Sequence, residues 1–389
     1  MKDKKVMNKE ENIKESVDIE EDIKENETNE YITNPFSTKD IKITNAVLAL
    51  PSLVTMLEHN EIDLNPDFQR HGNLWTSTNM SRLIESILLK LPLPMFYFDV
   101  SNPEKWVVVD GLQRLSTIKK FMVKTENEKP LKLKNLEFLK DLEGKGYDDL
   151  DRGLKRIFEG TQIVTYQIEA QTPKKVRYSI FNRINTGGLP LNAQEIRQAL
   201  NQHGKGVKFL IECAESEVFT NIVSVPAKRM LDRELVLRFM SFKLNPNATN
   251  DFPFNNMGEF LDEAMEKLDN IKDDAELDIL KSSLFETLLF SEQILGDNHR
   301  FSRSIAKKEK TNTLNRSLFD VLTVCFSEIV DKNIFILRKN IFKNKLSELL
   351  QDESSDFSRA ITEGTSGKGA IEKRFEIMKK LIEEIMNEN

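Results

Sequence analysis

Apolar positions in the first half of the chain change period several times. "TNAVLALPSLVTMLEHNEI" reads as a short apolar stretch followed by a helix. "STNMSRLIESILLKLPLP" repeats Leu83, Ile84, Ile87 and Leu88 at helical spacing, with Ser77 or Thr78 as the cap and Pro92 and Pro94 as the stop. "MFYFDV" and "WVVVD" are short apolar runs joined by the turn-like "SNPEK", and they predict two strands. A helix is expected from Gly111 to about Val123, and "TQIVTYQIEA" reads as another strand. "TPKKVRYSIFNRIN" predicts a helix, "TGG" breaks it, and "LNAQEIRQALN" starts a new one. Asn192 stands at its cap and Glu195 at the capping-box position.

From about residue 204 the pattern becomes helical throughout, in "RMLDRELVLRFMSFKL", "NMGEFLDEAMEKLDNI", "ELDILKSSLFETLLFSEQIL" and "NRSLFDVLTVCFSEIV". Glycine and proline thin out and strand signals vanish. The expected organisation is a mixed lobe over residues 35–203 followed by an all-helical lobe over 204–389, an α+β chain. Residues 1–34 are rich in Glu, Lys, Asn and Asp and poor in aromatics. Such a segment buries too little surface to offset its ordering entropy, so a disordered acidic tail is expected there.

Composition refines this picture. Of 389 residues, 39% are hydrophobic, with 24 Phe, enough for a sizeable core. The 56 basic and 63 acidic residues leave a net charge of −7. That balance argues against bulk attraction to nucleic acid and leaves room for a local basic groove. Two cysteines far apart, Cys213 and Cys325, fit a reducing cytoplasm and exclude a disulfide scaffold. His59, His71, His203 and His299 show no metal-ligand spacing. The N-terminus has no apolar leader, and no run of about 18 apolar residues exists. A cytoplasmic protein without a membrane segment is expected.

The chemistry concentrates at "VVVDGLQRLSTIKKF", where a strand feeds directly into a helix. The first turn of a helix offers unpaired N–H groups and a partial positive charge. Gly111 would admit an anion close to the backbone, and Arg114 stands one turn in, where a guanidinium meets phosphate oxygens. Asp110 at the strand end would hold Mg²⁺ or orient a water. The same spacing also fits a plain turn, with Asp110 as a cap and Arg114 as a surface charge. Two further polar clusters add weight to the first reading. "NPDFQRHGNLW" carries Gln69 and Arg70 beside Phe68 and Trp75, and "FNRINTGGLPLNAQEIRQAL" carries Asn182, Arg183 and Asn185 at a Gly-Gly turn. Three such loops in one lobe suit convergence on one anion. For Arg183 and Arg197 a solvated helix face fits the pattern equally well.

In order and spacing, "FQRHGNLW", "LPLPMFYF", "DGLQRLSTI" and "FNRINTGGLPLNAQEIRQAL" resemble the family that includes the N-terminal domain of GmrSD-type restriction endonucleases. That family lies within the ParB/sulfiredoxin-like nucleotide-binding group. The resemblance extends over roughly residues 40 to 385. It implies a ParB/sulfiredoxin-like lobe in which an Asp-Gly-Gln-Gln-Arg motif supports NTP binding and hydrolysis. The matching positions here are Asp110, Gly111, Gln113 and Arg114, with catalytic roles falling to Asp110, Gln113 and Arg114 and Mg²⁺ to Asp110. Gln69 and Arg70 match the first box; Asn182, Arg183 and Asn185 match the third. Leu112 departs from the pattern where the first Gln usually stands, which separates binding from hydrolysis. The nucleotide, ATP, GTP or CTP, is not specified. Many family members carry an HNH-type nuclease; no such motif is visible here, so cutting is expected to need a partner nuclease.

Elsewhere, "HRFSRSIAKKEKTN" gathers Arg300, Arg303, Lys307, Lys308 and Lys310 around Phe301 and is the best candidate for a DNA-backbone contact. It fits a basic solvated loop equally well. "EGTSGKGA" lacks the spacing of a phosphate-binding P-loop and reads as a loop between terminal helices, with Lys368 within reach of DNA phosphates. The expected function is a nucleotide-binding, NTP-hydrolysing protein of a bacterial restriction-type defence system acting on or sensing DNA. The alternative is a non-hydrolysing, NTP-gated switch or scaffold.

Overall fold

The computed structural model describes residues 18–19, 38–64, 75–123, 129–184, 192–201, 204–223, 225, 228–296, 301–305 and 313–388. The chain divides into two compact units: Tyr31–Gln202, and His203–Asn389 together with Met1–Glu30.

The first unit is built on a five-stranded sheet. Its elements are β1 (Ile43–Ala49), α1 (Leu50–Glu58), β2 (Ile62–Asp63), α2 (Ser77–Leu88), β3 (Phe96–Asp99), β4 (Trp106–Asp110), α3 (Leu112–Met122), α4 (Arg152–Glu159), β5 (Gln162–Ile168), α5 (Lys174–Ile184) and α6 (Ala193–Asn201). The strand order is β1-β5-β3-β4-β2. β1 with β5 and β3 with β4 are antiparallel; β3 with β5 and β2 with β4 are parallel. The unit is mixed and the next one helical, so the α+β expectation holds.

Helices cover the two faces unequally. Leu53, Leu57, Ile84, Leu115 and Phe158, from α1 to α4, pack with Phe96, Phe98 and Val108 on one face. The opposite face carries a smaller cluster, in which Val109 and Ile168 meet Tyr178, Phe181, Ile196 and Ala199 of α5 and α6. Val108 and Val109 therefore serve different cores, as strand alternation requires. Two details depart from expectation. The cap of α2 is Thr76, whose hydroxyl accepts from Asn79 N–H, one residue before the expected Ser77. α4 and β2 were absent from the periodicity reading, because eight and two residues are too short to show a period.

Glu85, on α2, is buried and collects the backbone N–H groups of Glu137, Phe138 and Leu139. Burial pushes its carboxyl up, but the three N–H donors outweigh that and hold it below the usual range.

The second unit is helical around one large core, in which Phe242 meets Phe260 and Phe375. Arg238 and Arg374 both reach Asp320, at 2.8 and 3.5 Å, and Glu234 joins through Arg238 at 3.0 Å. Asp320 and Arg374 are fully buried. Burial pushes the Asp320 carboxyl up against the pull of both guanidiniums. Asp18–Ile19 pairs as a short parallel strand with Thr313–Leu314, whose backbone offers ladder partners. This corrects the expectation of a wholly disordered tail at these two positions; the rest of residues 1–34 lies outside the described residues.

Candidate functional site

The strand-to-helix junction begins with a bulge. Tyr97 pairs with Asp110 and Phe98 with Val108, so Val109 is the extra residue. A bulge bends the strand and re-aims the residue beside it, and Asp110 is that residue. Gly111 follows at φ +104°, a conformation side chains rarely adopt. A Cβ built there would stand 2.4 Å from Cδ1 of Phe96. The glycine is thus required by the turn and by close packing on Phe96, and α3 starts directly after it.

Arg114 lies inside this packing. Its Nη1 donates to the Pro94 carbonyl, and its Nη2 donates to the Met95 carbonyl at 3.1 Å and to Oδ2 of Asp110 at 2.9 Å. The guanidinium carbon sits 4.3 Å from the centre of the Phe96 ring. Burial lowers the Arg114 pKa, opposed by the Asp110 charge. The side chain expected to meet phosphate instead staples the approach to β3 onto the junction, and it fixes one oxygen of Asp110. The carboxylate itself is 39% exposed, and Oδ1 has no protein partner among the described residues.

Gln113 joins the first polar cluster to the junction. Its Oε1 accepts the backbone N–H of Trp75 at 3.1 Å. Trp75 closes the "FQRHGNLW" stretch, whose Gln69 and Arg70 lie outside the described residues. Leu112, the position out of pattern, packs against the apolar core under α1 to α4.

In the third cluster, Asn192 and Glu195 form the expected capping box at the start of α6: Asn192 N–H donates to Oε2 at 2.7 Å and Glu195 N–H to Oδ1 at 2.8 Å. Arg183 is exposed on α5; Asn182 is on the same helix, its side chain outside the description, and Asn185 lies outside the described residues. Arg197, for which a solvated face fitted the pattern, is 1% exposed. The burial has a physical cause: α6 buries polar residues along with Ile196, including Gln194, Glu195, Gln198 and Asn201.

Residues 53–201 match the family described as GmrSD restriction endonuclease, N-terminal domain. The matched span contains the bulge, the Gly111 turn, Trp75 and the capping box. The first unit carries a GmrSD-type restriction endonuclease N-terminal domain. No curated protein and no solved structure matches the chain.

The GmrSD-type domain also holds geometry that local sequence did not signal. Asp99 ends β3, is 2% exposed, accepts Ser101 N–H, and pairs with Arg177 of α5 at 3.0 Å. The turn at Asp99 was legible, since an Asp accepting the N–H two residues on is a common turn device. Its partner, far along the chain, was not. Gln194 is buried, and neither amide atom has a partner among the described residues. Among the described residues, no group of three or more His, Cys, Asp or Glu gathers to hold a metal. A cation at Asp110 would therefore draw its other ligands from water and substrate, which suits Mg²⁺.

The helical unit corrects one further expectation. Phe301, expected among basic residues on a surface loop, is 1% exposed and packs edge-on against Phe319 at 4.9 Å. Arg303 pairs with Glu353 at 3.5 Å and is 19% exposed. Arg300, Lys307 and Lys308 lie outside the described residues. Lys368 pairs with Asp251 at 3.0 Å. Among the described residues no helix is long and apolar enough to cross a membrane.

Proposed function

We propose that the GmrSD-type domain binds a nucleoside triphosphate at the Asp110 junction and serves a restriction-type defence system, with DNA and a partner nuclease as the downstream targets. One observation carries this reading. Asp110 stands at a bulge, beside the first turn of an 11-residue helix, with one oxygen fixed by Arg114 and the other open. A half-exposed carboxylate at a helix N-terminus is unfavourable beside bare phosphate; a bridging Mg²⁺ would reverse the sign of that interaction and supply charge neutralisation.

The chain's own residues divide the work. Asp110 holds the cation or an ordered water. Arg114 is a positioning residue, holding Asp110 through a charge-assisted hydrogen bond. The N–H groups opening α3 face the phosphates. Gln113 ties Trp75, and with it the first box, to the same turn. Hydrolysis would rest on positioning and charge stabilisation.

A non-hydrolysing switch is the second reading, favoured by Leu112: an apolar side chain packed on the core cannot orient a water. Calorimetric titration with ATP, GTP and CTP, with and without Mg²⁺, alongside phosphate release with and without DNA, tests both. Mg²⁺-dependent binding that weakens at least about ten-fold in Asp110→Asn is expected. Absence of binding for every nucleotide removes the proposal. Binding without phosphate release selects the switch.

A further inference from the structure

The sheet face opposite α1 to α4 is covered only in part. α5 and α6 pack over Ile168 and Val109. Toward β1 the same face stays open: Val47 is 59% exposed, and its register partner Val164 is 40% exposed. In the middle of this face stand two half-buried tyrosines on neighbouring strands. Tyr97 of β3 and Tyr166 of β5 are register partners, with ring centroids 5.2 Å apart and planes 14° from parallel. Neither hydroxyl has a protein partner among the described residues.

The row continues on both sides. Asn45 of β1 pairs with Tyr166, is exposed, and has no protein partner for its amide among the described residues. On the other side Tyr97 pairs with Asp110 across the bulge. Asn45, Tyr166, Tyr97 and Asp110 thus occupy four adjacent strands, a span of about 14 Å at about 4.8 Å per strand.

A cross-strand tyrosine pair stabilises a sheet wherever it occurs. Here three further features need another reason. The pair borders the open part of this face, with Tyr97 also touching the α5–α6 cluster, neither hydroxyl has a protein partner among the described residues, and backbone register carries its row to Asp110. We propose that this row is the nucleobase seat of the site: the base stacks on the Tyr97–Tyr166 pair, its edge meets the Asn45 amide, and the phosphates point toward Asp110 and α3. Aromatic rings stack on any base, while an amide offers a donor and an acceptor to the base edge. The inference rests on the nucleotide reading above and adds where the base lies and which way the nucleotide runs.

The test compares magnesium complexes of ATP, GTP and CTP with inorganic tripolyphosphate by calorimetry. The full chain is used, as wild type, Tyr97→Leu, Tyr166→Leu, Tyr166→Phe and Asn45→Ala. Wild type is expected to bind at least one nucleotide about ten-fold or more tightly than tripolyphosphate. Tyr97→Leu and Tyr166→Leu should erase that advantage and leave tripolyphosphate binding unchanged. Tyr166→Phe should keep it, and Asn45→Ala should compress the spread among the three bases. Equal wild-type affinity for nucleotide and tripolyphosphate overturns the base seat while leaving the phosphate site standing, and this comparison needs no variant to fold. Unchanged nucleotide affinity in leucine variants that melt like wild type also overturns it. So does a single-stranded oligonucleotide that loses binding in those variants while nucleotide binding persists. No binding of any probe to wild type removes the nucleotide reading itself.

Discussion

Arg114 and Arg374 make an instructive pair. Both are buried guanidiniums that donate to backbone carbonyls and to one carboxylate. They differ in what lies beyond that carboxylate. Asp320, the partner of Arg374, is fully buried and shared with Arg238, so its charge is spent inside the core. Asp110, the partner of Arg114, is 39% exposed, with one oxygen outward. The same side-chain chemistry therefore fills the core of the helical unit and, in the GmrSD-type domain, holds a carboxylate at the surface. The exposure of the acid, rather than the burial of the base, separates structure from site.

The largest effect should come from breaking the buried network. Asp320→Ala leaves the fully buried Arg374 without this counter-charge and Arg238 with Glu234 alone, and should cost about 3–5 kcal/mol in urea unfolding. A loss under about 1 kcal/mol would show that water reaches this network and would dissolve the contrast. Gly111→Ala comes next: strain at positive φ and the clash with Phe96 together should cost about 2–4 kcal/mol. A variant melting like wild type would mean the turn is slack and the carboxylate poorly aimed.

Glu85 sharpens the comparison, because it is an acid held chiefly by backbone donors, with a smaller pull from Lys140. Its folded pKa is depressed, so its contribution is fully present above the ordinary Glu value of about 4.3 and is lost as pH falls through the folded value. Thermal melts should therefore fall below about pH 4, and Glu85→Gln should lose about 1–2 kcal/mol at pH 7 while flattening that acid limb. An unchanged acid limb in the variant would assign it to other carboxylates. The smallest stability effect belongs to the acid of the proposed site: Asp110→Asn should stay within about 1 kcal/mol of wild type, although Mg²⁺-dependent nucleotide binding is expected to collapse. Equal losses of stability and binding would make Asp110 a scaffold residue like Asp320.

Periodicity and local chemistry carried most of the element order. Two strands flanking "SNPEK", the helix after Gly111 and the Asn192–Glu195 capping box are all interactions over a few residues, and such interactions leave a local trace. The three polar boxes were legible for the same reason, and the match over residues 53–201 contains all three. Roles were less legible than positions. Arg114 was expected to face phosphate, yet its reach to Pro94 and Met95 depends on where β3 docks beside β4. Phe301 lies among basic residues in sequence and inside the core in space.

By itself, then, the sequence determined the mixed-then-helical order, the helix caps, and the strand–glycine–helix junction at Asp110, because helices, strands and turns are set by contacts between near neighbours. Tertiary structure alone decided which charges are spent and which remain open. It paired Asp99 with Arg177 and closed Asp320 between two arginines. It also set Asn45, Tyr166 and Tyr97 in one row ending at Asp110. Strand register and long-range packing have no local period to betray them, and at this chain's junction they separate a buried staple from an available carboxylate.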